Sequence, residues 1–354
     1  MPDVSKAVLI TGCSTGIGRA TAEHLARSGH TVYATARRPE SIDDLNAVGC
    51  RTLALDVTDE GSMTAAVAAV EEAEGAVGAL VNNAGYSQSG ALETIPLEDV
   101  RRQFETNVFG LLRMSQLALP GMRRQGQGRI VNVSSMGGKL TFPGGGIYHA
   151  TKYAVEAISD AMRFEVQGFG VYVAVIEPGL IKSNFAETAV GSVSQEEGPY
   201  ADFNTAVSAV TAGAYEGPFG KLGGEPQDVA KAIEKAITAK RPRARYPVTA
   251  SARFFLAQRK VLPDRAWDAV VGTSFPRPGR SYSRPRNSRS CQSSASGRHD
   301  TSADPGSRAT YLDPRSRWRG RRVHLDDLGE RTQQPWRNDR WSGSIRWGLT
   351  SPHT

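Results

Sequence analysis

The chain has 354 residues, 39% of them apolar, enough for one large domain or two ordinary ones with a sizeable core. Its net charge of +7 is uneven: residues 276–354 hold 16 Arg and no Lys against 6 Asp and 1 Glu, a net of +9, which leaves the first 275 residues at −2 and gives the body no field to attract nucleic acid. Cys13, Cys50 and Cys291 form no CxxC, so neither a disulfide framework nor a metal site is expected, and with no basic-apolar leader and no run of about 18 apolar residues the expectation is a cytoplasmic protein without a membrane span.

The first element is a short β-branched run, Ala7 to Thr11, which reads as a fully buried strand. Gly16 to Ser28 has helical periodicity and stops at Gly29. Thr31 to Ala36 is the next strand. The alternation continues with a strand over 51–56, a helix over 59–74, a strand over 78–82, helices around 97–125, a strand over 129–134, a helix over 147–167 and a strand over 171–176. Strands alternating with helices mean parallel βαβ units, with helices on both faces of the sheet. Right-handed crossovers make this a single α/β domain, a Rossmann-like doubly wound parallel sheet over residues 1–275.

Residues 183–225 break the pattern. They are rich in Gly, Ser and Ala, with aromatics at Phe185, Tyr200, Phe203, Tyr215 and Phe219, and read as a mobile, partly helical segment on the substrate side. Glu225-Pro226-Gln227-Asp228 starts a helix to about Lys240, a strand follows near Ala244–Val248, and the last amphipathic stretch ends near Val271. Residues 276–354 are Arg-, Ser- and Pro-rich and carry four of the five Trp but few aliphatic side chains, so that tail is expected to be disordered.

The segment Gly12-Cys13-Ser14-Thr15-Gly16-Ile17-Gly18 lies between the first strand and the first helix. Its glycines let backbone approach a pyrophosphate, and the helix N-terminus offers free N–H groups. Ala36 is followed by Arg37 and Arg38 where an acidic residue would favour NAD(H). A guanidinium there suits a 2′-phosphate, so NADP(H) is favoured over NAD(H). Asp56, with Val57 after it, is a candidate partner for the adenine amino group; its other reading is a residue of a helix N-terminus. Tyr148 and Lys152, four apart on a helix, share one face, and an ammonium near a phenol favours the phenolate.

These motifs, with Asn82-Asn83-Ala84-Gly85, Asn107, Ser135 and Pro178-Gly179, follow one another in the order of the short-chain dehydrogenase/reductase superfamily. The chain resembles its compact single-domain branch over residues 5 to about 270, its hydroxysteroid and retinol dehydrogenase-like members most. The resemblance implies that Tyr148 is the acid/base, that Ser135 holds the substrate oxygen and that Ser134 is structural. It implies that Asn107 binds water leading to Lys152, that Asn83, Ala84 and Gly85 shape the cofactor pocket, and that Pro178, Gly179, Ile181 and Ser183 face the nicotinamide. The chain departs from the pattern at Thr15, where NADP-preferring members often carry Arg or Lys, so Arg37 must carry that preference. Ser87, Gly90, Leu92, Gly137–Phe142 and Phe185 are expected around a hydrophobic carbonyl or alcohol substrate. A homo-oligomer is compatible with this reading. The alternative function is a catalytically silent NADP(H)-sensing protein on the same fold, disfavoured by the presence of Ser135, Tyr148 and Lys152 together.

Overall fold

The computed structural model describes residues 4–214 and 220–279. The tail from 280 onward, and with it the expectation of disorder there, lies outside the described residues, as do Tyr215 and Phe219.

Seven strands form one parallel sheet in the order β3-β2-β1-β4-β5-β6-β7. They are β1 (Val8–Ile10), β2 (Val32–Ala36), β3 (Cys50–Ala54), β4 (Ala79–Asn82), β5 (Gly128–Val133), β6 (Val171–Pro178) and β7 (Arg245–Val248). β1 is the pivot: Val8 pairs with Val32 of β2 on one side and with Ala79 of β4 on the other. The strand order therefore reverses between β1 and β4, where a doubly wound sheet opens a crevice beyond its strand ends.

The central strands are mostly apolar because both faces are covered. Val8 and Ile10 point to one core with Leu25, Val32, Ala34, Val131, Ile176 and Ile233. Leu9 points to the other with Tyr33, Val67, Leu80, Met114, Ile130, Met162 and Val173. The first core is closed by α1 (Gly16–Arg27) and α8 (Pro226–Thr238), the second by α2 (Glu60–Glu74), α4 (Leu111–Arg124) and α5 (Gly146–Val166). Fully buried Leu or Ile side chains each contribute roughly 1.5–3 kcal/mol, so the sheet's interior dominates the fold's stability.

Local signals hold where they were read. Glu225 and Asp228 form a reciprocal cap at the start of α8, the Glu225 amide donating to Asp228 Oδ2 at 3.0 Å. The stretch expected as helices around 97–125 is α3 (Leu97–Phe104), a π-helical turn over Glu105–Gly110, and α4. The segment expected to be partly helical carries α6 (Phe185–Gly191) and α7 (Ala201–Gly213). After β7 come α9 (Ala250–Val261) and α10 (Asp264–Val271), whose aromatic side chains return to the crevice. Among the described residues no helix is long and apolar enough to cross a membrane, and no group of three or more His, Cys, Asp or Glu could hold a metal.

Candidate active site

A cavity of about 1350 Å³ opens where the strand order reverses. Of the catalytic and cofactor-binding residues expected from the sequence, all but Gly18 and Asn107 stand on its wall.

One end is formed by the loops after β1 and β4 and the start of α1. Gly12 and Gly16 have φ of +73° and +59°, the left-handed region that favours glycine. A Cβ on Gly12 would lie 3.0 Å from the Ala84 Cα, so the loops after β1 and β4 close on each other there. Asn83 stitches them, its Nδ2 donating to the carbonyl oxygens of Thr11 (2.9 Å) and Gly12 (3.0 Å). Thr11 Oγ1 accepts from the amides of Asn83 and Ala84, both at 3.0 Å. α1 begins at Gly16 with no side-chain cap on Thr15 and no acidic residue in its first turn, so its positive end faces the cavity. This cradle of backbone amides at the start of α1, opened by the left-handed turns at Gly12 and Gly16, fits a dinucleotide pyrophosphate. Gly18 lies behind the wall: a Cβ there would stand 2.2 Å from the Gly12 oxygen and 2.4 Å from Asn83 Nδ2. It lets α1 pack against the loop and presents nothing to the cavity.

Beyond the ends of β2 and β3, Arg37 is exposed on the wall and makes no ion pair among the described residues. Asp56 Oδ1 accepts from the Thr58 amide (2.9 Å) and hydroxyl (2.8 Å), closing a turn before α2, whose cap is Asp59. Asp56 thus fits both of its readings, a turn residue and a wall residue. Arg102 and Thr106, from α3 and the π turn, also line the cavity, and the sequence had marked neither. Burial raises the Tyr86 pKa, and the charges of Arg102 and Arg37 oppose it.

At the middle stand Ser135, Tyr148 and Lys152. Ser135 follows β5 in extended backbone, and its Oγ accepts from the Gly137 amide at 3.0 Å. Its hydroxyl proton is thereby left to point elsewhere. Ser134 is buried with a hydroxyl that has no hydrogen-bond partner among the described residues. Tyr148 lies in the first turn of α5, packed 5.2 Å from the Phe185 ring and 5.7 Å from His149. Lys152, one turn on, is buried; its Nζ donates to the Val133 carbonyl at 2.8 Å and stands 5.8 Å from the centre of the Tyr148 ring. Burial pulls the Lys152 pKa down to about 8, against the charge of Glu156, which raises it.

Asn107 sits behind Gly85 rather than on the wall. The π turn aims it inward, where Nδ2 donates to the Tyr86 carbonyl (2.9 Å) and to Thr151 Oγ1 (3.1 Å), and Oδ1 accepts from the Tyr86 amide (3.1 Å). It ties the loop after β4 to α5 beside Lys152. Further back, Glu156 and Glu177 are buried with Arg245, whose Nε lies 2.9 Å from Glu156 and 3.4 Å from Glu177. Burial first, and the charge of Glu156 second, push the Glu177 carboxyl up to about 7, with Arg245 opposing.

The far end is apolar. Phe142, Phe185, Val207, Phe254, Phe255, Trp267 and Val271 line it, and no wall residue contributed by α6, α7, α9 or α10 carries a charge. Of the residues expected around a substrate, Ser87, Gly137, Phe142 and Phe185 are there, whereas Gly90, Leu92 and 138–141 are not on the wall. The residues from α9 and α10 were missed, and the cluster Phe254-Phe255 with Trp267 was the available signal.

Comparison with known proteins gives the chain a family. The family model described as short chain dehydrogenase matches residues 6–192. An NADPH-dependent 3-dehydrocapnine reductase of Ornithobacterium rhinotracheale is 33% identical over 271 residues, 74% of this chain and 94% of that protein. A crystal structure of a short-chain dehydrogenase from Streptomyces avermitilis is 35% identical with a TM-score of 0.64, covering 77% of this chain and 96% of that one. A serine dehydrogenase solved with NADP+ is 27% identical with a TM-score of 0.60, over 69% of this chain and 94% of its own. The chain belongs to the short-chain dehydrogenase family and is an oxidoreductase acting on CH–OH groups with a nicotinamide cofactor.

Proposed function

We propose that the protein interconverts a ketone and a secondary alcohol on an uncharged hydrophobic small molecule, with NADP(H) as cofactor and Tyr148 as the acid/base. The observation that carries the reading is the buried Lys152 ammonium 5.8 Å from the Tyr148 ring, at the junction of a phosphate cradle and an apolar wall.

Arg37 supports NADP(H): a guanidinium on the wall after β2, without an ion-pair partner among the described residues, offers the fork geometry and charge that a 2′-phosphate needs. The NADPH dependence named for the 3-dehydrocapnine reductase points the same way. Gly12, Ser14, Thr15, Gly16 and Ile17 would hold the pyrophosphate, Asp56 and Val57 the adenine, Asn83, Ala84 and Gly85 the central ribose, and Pro178, Gly179, Ile181 and Ser183 the nicotinamide. When bound, the cofactor donates hydride to the carbonyl carbon or accepts it from the carbinol.

In the reducing direction Tyr148 gives its phenolic proton to the carbonyl oxygen as negative charge develops there. A phenol has an ordinary pKa near 10, and the Lys152 ammonium favours the phenolate that remains. Ser135 Oγ already accepts from Gly137, so its own proton can be given to the substrate oxygen. The Val133 carbonyl fixes Lys152, and Asn107, bonded to the neighbouring Thr151, would position water that leads towards Lys152 for the reprotonation of Tyr148. In oxidation the same groups act in reverse. The deciding experiment follows NADPH consumption at saturating cofactor with a panel of hydrophobic ketones and aldehydes, in wild type and Tyr148→Phe. Turnover that the variant loses supports the reading, and equal turnover in both overturns it.

A further inference from the structure

His149 follows Tyr148 directly and lies buried against the loop between β5 and α5. Both of its ring nitrogens are committed. Nδ1 faces the Gly137 carbonyl oxygen at 3.0 Å, and Nε2 faces the Phe142 amide at 3.2 Å. A carbonyl oxygen can only accept and an amide N–H can only donate, so the ring is the neutral Nδ1–H tautomer. Burial, which lowers the histidine pKa, agrees with this.

The loop is shaped around the ring. A Cβ on Gly137 would stand 2.5 Å from Nδ1, and one on Gly145 would stand 2.7 Å from Nε2. The Phe142 amide has His149 as its hydrogen-bond partner among the described residues. The Phe142 ring then reaches the C-terminal helices: it meets Phe255 edge-on at 5.6 Å and Trp267 at 5.7 Å. Trp267 Nε1 closes the circuit by donating to the Thr141 carbonyl at 3.2 Å. The α5 turn that carries Tyr148 is thus joined through one imidazole to the arch over 137–142, and through Phe142 to α9 and α10.

We propose that His149 is a specificity-determining positioning residue, which pins the 137–142 arch so that Phe142 forms the wall against which large hydrophobic substrates pack. Tyr148 and Ser135 hold the reacting oxygen whatever the size of the substrate. Phe142 and the helices behind it contact only what extends beyond that oxygen. Unpinning the arch therefore penalises long substrates and spares short ones. The inference rests on the proposed ketone reduction for its kinetic arm only.

The test uses the full chain and straight-chain 2-ketones from butanone to dodecanone with NADPH. His149→Leu should lower kcat/KM for dodecanone about tenfold, the worth of one buried backbone hydrogen bond, through KM. It should leave butanone within about twofold and the NADPH Kd unchanged. His149→Gln, whose Oε1 can still accept from the Phe142 amide, should recover most of the loss; His149→Asn, which keeps only the Gly137 contact, should not. Phe142→Ala should give the same length dependence without touching α5. A second readout needs no turnover. Hydrogen exchange at the Phe142 amide should be slow in wild type and His149→Gln, and about tenfold faster in His149→Leu. A uniform loss across all chain lengths, a loss in kcat alone, or unchanged exchange in His149→Leu overturns the proposal. If wild type reduces none of the ketones, the proposed function fails by itself and the exchange measurement decides the pinning.

Discussion

Lys152 Nζ donates to the Val133 carbonyl oxygen at 2.8 Å, which fastens the ammonium of α5 to the end of β5 and holds it inside the protein. Burial there lowers its pKa to about 8, so the proton is lost within the working range. Below that value the group is cationic and favours the Tyr148 phenolate; above it the charge is gone. Because kcat/KM reports the free enzyme, reduction should show an alkaline limb near pH 8. A pH–rate profile measures it, and Lys152→Met should abolish the limb together with most of the activity. A wild-type profile flat from pH 7 to 9 would contradict the assignment.

Tyr148→Phe should cut turnover by roughly 10² to 10⁴-fold, the usual worth of a positioned acid or base, while NADPH still binds. Ser135→Ala should lower kcat strongly, whereas Ser134→Ala should matter much less, because Ser135 is the serine proposed to hold the substrate oxygen. Steady-state kinetics and cofactor titration on the three variants measure both. The reverse order of damage in the two serines would move the oxygen site to Ser134.

Arg37→Asp should shift preference from NADPH towards NADH. It removes a guanidinium that has no ion-pair partner among the described residues and installs an acceptor for ribose hydroxyls. Fluorescence titration with both cofactors reads the change. NADPH affinity equal to wild type would make Arg37 a solvated surface charge.

Glu177 is held protonated in the fold up to about pH 7, but it ionises near 4.3 in an unfolded chain. Between those values the folded state binds the extra proton, so its contribution falls as pH rises from about 4.3 to about 7. Glu177→Gln imitates the protonated form and leaves Arg245 with Glu156 and Asp160. The variant should be more stable than wild type at pH 8 by about 2 kcal/mol, or roughly 5 °C in Tm, and no more stable at pH 4. Thermal melts at the two pH values check this; a gain at pH 4 as large as at pH 8 would contradict it.

Removal of residues 280–354 should leave Tm and kcat/KM unchanged. The short chain dehydrogenase model matches residues 6–192, and the 3-dehydrocapnine reductase aligns over 94% of its length with 74% of this chain. Thermal melts and kinetics of the shortened chain test it, and a fall in either would assign those residues a part in the fold or the site.

The sequence by itself determined the parts whose signals are local. Apolar β-branched runs such as Val8–Ile10 mark strands covered on both faces, and the alternation with helices defines a parallel sheet. Gly12 and Gly16 are glycines because their φ is positive, and the four-residue spacing of Tyr148 and Lys152 puts them on one helix face. Everything that depends on partners distant in the chain was decided by tertiary structure alone. Gly18 belongs to the same motif as Gly12, yet packing against Asn83, 65 residues away, turns it from the cavity. Asn107 is aimed inward by a π turn that no periodicity records. The pKa of Lys152 comes from burial and that of Glu177 from burial beside Glu156, while the aromatic far wall is gathered from Phe142, α9 and α10. Backbone periodicity is written into neighbouring residues, whereas desolvation and cavity shape depend on which distant side chains exclude water from the same space.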